Sequence, residues 1–285
     1  MTRQDFRFFH SLRVRWAEVD MQKIVFNAHY LMYFDTAISD YWRVLAIPYE
    51  EAMQQLGGDL YVKKASLEFH GSACFDDQLD VGLKCLRVGN SSITFKGAIF
   101  RERDVLVTSE LVYVFADPVS RKPRTVPSGL RTMLLAFEQG TSMRSIKVGN
   151  WSELGPDAAR LRVEVFVGEQ CIPIAMEWDD ADAGALHAVA YNGLGQPVAT
   201  GRLLAQAPRI SKIGRMAVKK VLRGAHLGHD VLQALMHAAK ERGDTQVTLH
   251  AQRSAQGFYE RAGFTPSGEP FDEVDIPHIE MIKTL

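Results

Sequence analysis

IGRMAVKKVLRGAHLG, residues 213–228, decides how the second half of this chain is read. Ile213 to Val218 is an apolar, strand-like run, and Arg223, Gly224, Ala225, His226, Leu227 and Gly228 form a glycine-bearing turn. Leu227, Val231, Leu232, Leu235 and Met236 then fall on one helical face, so the spacing predicts strand, turn and a helix over 224–242. A helix N-terminus presents unpaired N–H groups and the positive end of its dipole, and a glycine-bearing approach to it suits a diphosphate. The same glycines serve equally well in a simple cap.

Outward from this stretch, the patterning predicts a helix over 156–166, paired strands over 186–190 and 198–204, and a strand over 247–251. A short helix over 254–262 and a final strand pair complete a mixed α/β arrangement. Gln139-Gly140-Thr141-Ser142 breaks the pattern with small polar residues, and the domain boundary is placed near 139–147, giving domains over 1–140 and 141–285.

The first half is patterned differently. Leu12, Val14 and Trp16 alternate as in a strand, and a loop leads to Asn27. From Ala28 to Ala46, Leu31, Phe34, Ile38, Tyr41 and Leu45 recur every three or four residues, with Tyr30, Tyr33, Ala37 and Trp42 widening the stripe. Three period-two segments follow, around 79–85, 93–99 and 105–115, separated by turn-sized gaps that predict antiparallel hairpins. Leu130 to Phe137 reads as a second apolar helix. The expected fold class is therefore α+β, an antiparallel sheet around a long helix, followed by the mixed α/β domain.

Composition narrows the partners. The 285 residues carry 33 Lys and Arg against 34 Asp and Glu, a formal net charge of −1, with no basic block, which argues against nucleic acid. Cys74, Cys85 and Cys171 are odd in number without C-x-x-C spacing, so they read as buried thiols in a reducing compartment. No signal-peptide core and no run of roughly 20 apolar residues is present, and the expectation is a cytoplasmic protein without a membrane partner. The chain has no G-x-S-x-G elbow, Walker loop, H-E-x-x-H or paired Cys/His spacing, so no metal is expected.

Asp20 lies between the first strand and the helix that opens at Asn27. A carboxylate facing a helix N-terminus could attack a thioester carbonyl or activate water against it, with a free helical N–H meeting the oxyanion. Asp and Asn also favour loops and caps for their own hydrogen bonds, and on spacing alone that plainer reading is the simpler one.

The string VRWAEVDMQKIVFNAHYLMYFDTA (14–37), with ASLEFHGSACFDDQLDVG (65–82) and VPSGLRTMLLAFE (126–138), resembles hot-dog-fold acyl-CoA thioesterases of the 4-hydroxybenzoyl-CoA thioesterase family over roughly residues 8–138. The resemblance implies that Asp20 is the catalytic acid and that the backbone N–H of Asn27 polarises the carbonyl. It also implies a homodimer or homotetramer built through this domain. Lys23 stands where a glycine is common, and Asn27 where many members carry histidine.

In the second half, IGRMAV (213), RGAHLG (223), LHAQ (249), FYERAGF (258) and FDEVDIPHIEM (271), with VEVFVGEQ (163) and LHAVAYN (186), resemble the GNAT acetyltransferases over about residues 145–285. This implies acetyl-CoA as cosubstrate and an amine acceptor that the sequence does not name. The strand through Arg215, Met216, Ala217 and Val218 would pair with the pantetheine arm, and backbone N–H groups of Arg223, Gly224, Ala225, His226, Leu227 and Gly228 would hold the diphosphate. His226 occupies a usual glycine position. Tyr259 matches the family's general acid, which suits a phenol with an ordinary pKa near ~10. Glu169, His250, Glu273, Asp275 and His278 are chemically suitable bases, of which Glu169 and His250 are the candidates taken forward.

The expectation is a bifunctional coenzyme A ester enzyme, hydrolysing an acyl-CoA and transferring acetyl from acetyl-CoA to an amine. Two alternatives stay open: a first domain that only binds acyl-CoA or oligomerises, and a second domain that senses coenzyme A.

Overall fold

The apolar alternation of the first half folds into an antiparallel sheet against one helix. The computed structural model describes all residues from Met1 to Leu285 and divides into two compact units, Met1–Met143 and Arg144–Leu285.

In the first unit, β1 (Phe8–Arg13) leads to α1 (Asn27–Val44), α2 (Tyr49–Leu56) and β2 (Asp59–Phe69). Strands β3 (Gln78–Val88), β4 (Ser92–Arg101) and β5 (Asp104–Ala116) precede α3 (Ser128–Glu138). The sheet order is β1-β3-β4-β5-β2, antiparallel throughout. Helix α1 buries Tyr30, Tyr33, Phe34, Ala37, Ile38, Tyr41 and Trp42. A Cβ at Gly97 on β4 would lie 2.4 Å from the Phe34 ring, so only glycine lets the helix sit this close. Tyr41 is fully enclosed, edge-on to Phe8, Phe95 and Phe137. Its hydroxyl donates to Glu138 Oε1 at 2.6 Å, and the Cys85 N–H donates to the same oxygen at 2.9 Å, which joins α1, β3 and α3.

Three features depart from the sequence reading. The first strand ends at Arg13, and Trp16, 77% exposed, begins a 3-10 turn over Trp16–Glu18. Strand β2 and helix α2 were not expected: β2 is an edge strand with mostly exposed side chains, so burial imposes no period-two signal on it. Of the three cysteines only Cys85 is buried; Cys74, bridged to Ile24, and Cys171, at φ +58°, are both exposed.

In the second unit, β6 (Arg144–Gly149), α4 (Trp151–Arg162) and a π-helical turn (Val163–Glu169) are followed by α5 (Ile174–Glu177), β7 (Leu186–Asn192), β8 (Pro197–Ala207) and β9 (Ile210–Val218). Then come α6 (Leu227–Glu241), β10 (Gln246–Gln252), α7 (Gln256–Arg261), β11 (Thr265–Glu273) and β12 (Ile276–Thr284). The seven strands run β11-β12-β10-β9-β8-β7-β6, with only β9 and β10 parallel. Helix α4 starts earlier than the predicted 156 because the Asn150 side chain accepts the Glu153 N–H and caps it. Helix α6 starts later than the predicted 224 because Gly224 (φ +86°) and His226 (φ +62°) are left-handed. The apolar stripe on α6, Leu227, Val231, Leu232, Leu235 and Met236, is buried as its spacing predicts. No helix of the chain is long and apolar enough to cross a membrane.

One arginine anchors the start of this unit. Arg162, 1% exposed, donates from Nε to Glu177 Oε1, from Nη1 to Asp182 Oδ1 at 2.8 Å and from Nη2 to the Glu177 carbonyl at 2.9 Å. Its guanidinium also lies 5.6 Å from the Trp151 ring centroid and 5.0 Å from that of Trp178. Removing the cation leaves two buried carboxylates short of a partner, which typically costs ~3–5 kcal/mol. Asp182 keeps Arg202 at 2.8 Å, so Arg162→Met is expected near the low end, about 3 kcal/mol. Chemical denaturation should show this as an earlier transition of the second unit, and an unchanged midpoint would refute the anchoring role.

Candidate functional sites

In the first unit, the segment 19–25 folds back on itself. Val19 and Val25 form a bridge, the Asp20 N–H donates to the Ile24 carbonyl at 2.9 Å, and the Phe26 N–H donates to the Glu18 carbonyl at 2.9 Å. Asp20 and the start of α1 therefore share one end of the helix. Lys23 sits at φ +64°, which accounts for the glycine that resembling sequences carry there. Asn27 is the first helical residue and Phe26 the cap, and Phe26 offers no side-chain acceptor, so the Asn27 N–H has no partner within the helix. Asp20 is partly exposed, and its Oδ1 accepts the Gln22 N–H at 2.7 Å. No hydrogen bond joins Asp20 to Asn27.

Around them are exposed apolar groups: Trp16 and Phe75 in edge contact at 6.1 Å, Met21 and Phe26. Beneath lies a charged pair the sequence reading missed. Glu18 is buried and accepts from the Arg15 N–H, the Arg15 side chain and the Tyr33 hydroxyl at 2.8 Å each. Burial pushes its carboxyl up, but these hydrogen bonds outweigh it and hold the group below the usual carboxylate range. A glutamate in the loop before a helix gives no such sign in sequence.

In the second unit, β9 and β10 pair only from Ile210–Gln246 to Ile213–Leu249 and then part. Strand β9 continues to Val218 with its β10 side unpaired, while β10 continues to Gln252 along β12. The split is marked by a bulge opposite β8, where Arg215 adopts φ +53°. A cavity of about 390 Å³ opens there, lined by Gly214, Arg215 and Met216 of β9, by His250 and Gln252 of β10, and by Tyr259 of α7. Ala217 and Val218 continue the unpaired edge.

Tyr259 is buried except where it meets the cavity. Burial pushes its phenol up to about 12. His250 sits between two partners: Lys212 Nζ is 3.3 Å from Nδ1 and 3.1 Å from Nε2, and Glu273 Oε2 is 3.1 Å from Nδ1. Burial pushes the Glu273 carboxyl up, but the His250 hydrogen bond and nearby positive charges outweigh it and hold the group low. His278 lines the same cavity. Asp275 lies at φ +58° in the β11–β12 turn, outside the lining.

Glu169 is not brought to this group. Arg223 grips both its oxygens, at 2.6 and 2.7 Å, and this hydrogen bonding holds its carboxyl low.

The glycine-bearing turn is only partly free. The Arg223 N–H turns back to the Lys220 carbonyl and the Ala225 N–H to the Leu222 carbonyl, each at 3.3 Å. The N–H groups of Gly224, His226, Leu227 and Gly228 have no such acceptor. Arg144, the first residue of β6, clamps the turn, donating to the Ala225 carbonyl at 2.7 Å and to Asp230 at 2.8 Å. A Cβ on Gly228 would meet Val218 at 3.3 Å and Phe258 at 3.7 Å, so a larger residue there strains the packing of β9 and α7 before it reaches any ligand. His226 is the cleaner probe: its left-handed φ costs roughly 1–2 kcal/mol for a residue with a Cβ. His226→Gly is expected to bind acetyl-CoA equally or more tightly in a calorimetric titration, whereas weaker binding would assign the imidazole side chain itself to the ligand.

No group of His, Cys, Asp and Glu side chains is arranged to hold a metal ion.

Comparison with known proteins finds relatives for each of the two units. Residues 154–285 match the acetyltransferase (GNAT) domain model, and residues 22–108 match the thioesterase superfamily model. An uncharacterized N-acetyltransferase of Bacillus subtilis is 34% identical over 142 residues, covering 50% of this chain and 99% of the relative. Among solved structures, an acyl-CoA N-acyltransferase from Pseudomonas aeruginosa is 34% identical with a TM-score of 0.45, covering 49% of this chain and 99% of that one. A 1,4-dihydroxy-2-naphthoyl-CoA thioesterase from Synechocystis is 18% identical with a TM-score of 0.42, covering 45% of this chain and 95% of that one.

Proposed function

Starting from a chain that belongs to the GNAT acetyltransferases through its second half and carries a thioesterase-superfamily domain in its first, we propose a bifunctional coenzyme A ester enzyme. The second domain transfers acetyl from acetyl-CoA to an amine, and the first hydrolyses an acyl-CoA thioester. The observation that carries the reading is the parting of β9 from β10, which leaves a bare strand edge beside a cavity holding Tyr259 and His250.

In acetyl transfer, the free edge of Arg215 to Val218 aligns the pantetheine amides as a further strand would. The unpaired N–H groups of Gly224, His226, Leu227 and Gly228 take the diphosphate. His250, paired with Glu273, removes a proton from the acceptor ammonium; the amine attacks the thioester carbonyl, the C–S bond breaks as Tyr259 gives its proton to the departing thiolate, and the second proton that the nitrogen sheds as the amide forms restores the tyrosine. Glu169 serves by holding Arg223 and is not the base.

In hydrolysis, Asp20 takes a proton from water as the water oxygen attacks the thioester carbonyl, the Asn27 N–H meets the oxyanion, and the C–S bond breaks with the proton passing from Asp20 to the departing thiolate. One observation favours a second reading for this domain: Asp20 already spends one oxygen on the Gln22 N–H, as in an ordinary turn. On that reading the domain binds acyl-CoA or assembles copies without catalysing hydrolysis. Assembly itself is supported by β2, an eleven-residue edge strand with one unpaired side.

The decisive experiment measures thiol release from a panel of acyl-CoAs, with and without a panel of amines. Amine-dependent release from acetyl-CoA supports transfer, and amine-independent release from longer or aromatic acyl-CoAs supports hydrolysis. If neither occurs while acetyl-CoA still binds, the sensor reading takes the place of transfer and the scaffold reading that of hydrolysis.

A further inference from the structure

The cavity beside β9 holds more positive charge than it pairs. Lys212 Nζ touches only the two ring nitrogens of His250, and no carboxylate forms an ion pair with it. Arg215 is held loosely: Nη2 reaches the Glu177 carbonyl and Asp179 Oδ2 at 3.3 Å each, and Nε stands 3.7 Å from Glu177 Oε1. Its Nε is buried without a hydrogen bond, and Nη1 makes none within the chain. The neighbouring carboxylates are committed elsewhere, Glu177 to Arg162 and Asp179 to Arg202. Arg202, itself lining the cavity and nearly fully buried, has its Nε unpaired as well.

Arg215 is part-buried, but its Nε and that of Arg202 are shut away from water, and a buried N–H is costly unless something accepts from it. We propose that the cavity takes a carboxylate-bearing primary amine, the carboxylate received by Arg215 and Lys212 and the ammonium directed to His250 and Glu273. This rests on the acetyl-transfer reading of the same cavity and names its acceptor class. The planar fork of Arg215 matches a carboxylate in two-point geometry, and Lys212 adds a point charge. The two ends of the acceptor are thereby distinguished: the anionic end meets the cations of β9, and the cationic end meets the acid-paired histidine of β10. Burial, with the nearby charges of Arg202 and Arg215, also lowers the Lys212 pKa against the pull of Glu273 and Glu280, as expected for a cation lacking its own counter-ion.

The test uses the full chain and matched pairs of amines that differ in the carboxylate: 3-aminopropanoate against propylamine, 4-aminobutanoate against butylamine, and α-amino acids against their amides. The carboxylate member of at least one series is expected to show kcat/KM for acetyl transfer ten-fold or more above its partner, about the effect of one charged hydrogen bond. Arg215→Gln and Lys212→Met should each shrink the kcat/KM ratio between the carboxylate member and its carboxylate-free partner about ten-fold, a ratio in which any effect on acetyl-CoA binding or on His250 cancels. Equal treatment of the pairs, or variants that slow both members alike, would overturn the proposal. The same amines are titrated calorimetrically into protein saturated with coenzyme A, with near-ultraviolet circular dichroism confirming the fold of both variants. Carboxylate-dependent binding without turnover sustains the site and refutes acetyl transfer; turnover of carboxylate-free amines alone refutes the site and sustains transfer. Neither binding nor turnover with any amine overturns the site.

Discussion

Tyr259→Phe is expected to lower kcat for acetyl transfer about 10²- to 10³-fold while acetyl-CoA affinity stays within about two-fold. The substitution removes one hydroxyl from a ring packed edge-on to Phe258 and Phe264, at 4.9 and 6.0 Å, so packing is retained. The hydroxyl makes no hydrogen bond within the chain, so none is lost, and the residue lines the cavity. What disappears is the proton for the departing thiolate. An acid must be protonated to act, and burial keeps this phenol protonated up to about 12, against ~10 for a free tyrosine. Transfer by the parent protein should therefore show no alkaline decline from this group between about pH 7 and 10. Steady-state thiol release with a competent amine measures both effects; a Tyr259→Phe variant turning over at the parent rate would remove Tyr259 from the mechanism.

Asp20→Asn should cut acyl-CoA hydrolysis by about 10²- to 10⁴-fold, the usual range for losing a positioned general base. The turn makes this a clean test, because an amide oxygen can accept the Gln22 N–H as the carboxylate does at 2.7 Å. The hairpin over 19–25 and the cap of α1 should survive, and thermal melting should barely move. Unchanged hydrolysis on an acyl-CoA that the parent cleaves well would show that Asp20 is only a turn residue. The Asn27 contribution cannot be read by mutation in the same way, since it is a backbone group.

Much of this was legible in the sequence, and the rest was hidden for identifiable reasons. Helices α1 and α6 announce themselves because one face of each is buried and the apolar spacing follows it. Strand β2 was silent because its side chains are mostly exposed on both faces. Trp16 misled because an exposed aromatic in a 3-10 turn happens to continue an alternation that the strand itself abandons at Arg13. In the candidate sites, Tyr259 and His250 are found in one cavity, but Glu169 is not, since its pairing with Arg223 crosses 54 residues and no local pattern encodes it. Lys212 escaped for a related reason. It precedes an apolar run on β9, and only the parting of two strands turns an ordinary flanking lysine into a cavity group.

The clamp from Arg144 bears on how portable the second unit is. The match to acetyltransferases begins at residue 154, yet Arg144 holds the carbonyl of Ala225 and the carboxylate of Asp230, and β6 pairs residue by residue with β7 from Arg144–Asn192 to Gly149–His187. A fragment trimmed to the matched region would lose a sheet edge and expose β7 to water or to another chain. It would also release the glycine-bearing turn, whose Ala225 carbonyl Arg144 holds. Any attempt to move this GNAT-family unit as a module, in the laboratory or by gene rearrangement, must therefore carry the ten residues upstream of the match, Arg144 to Glu153, with it.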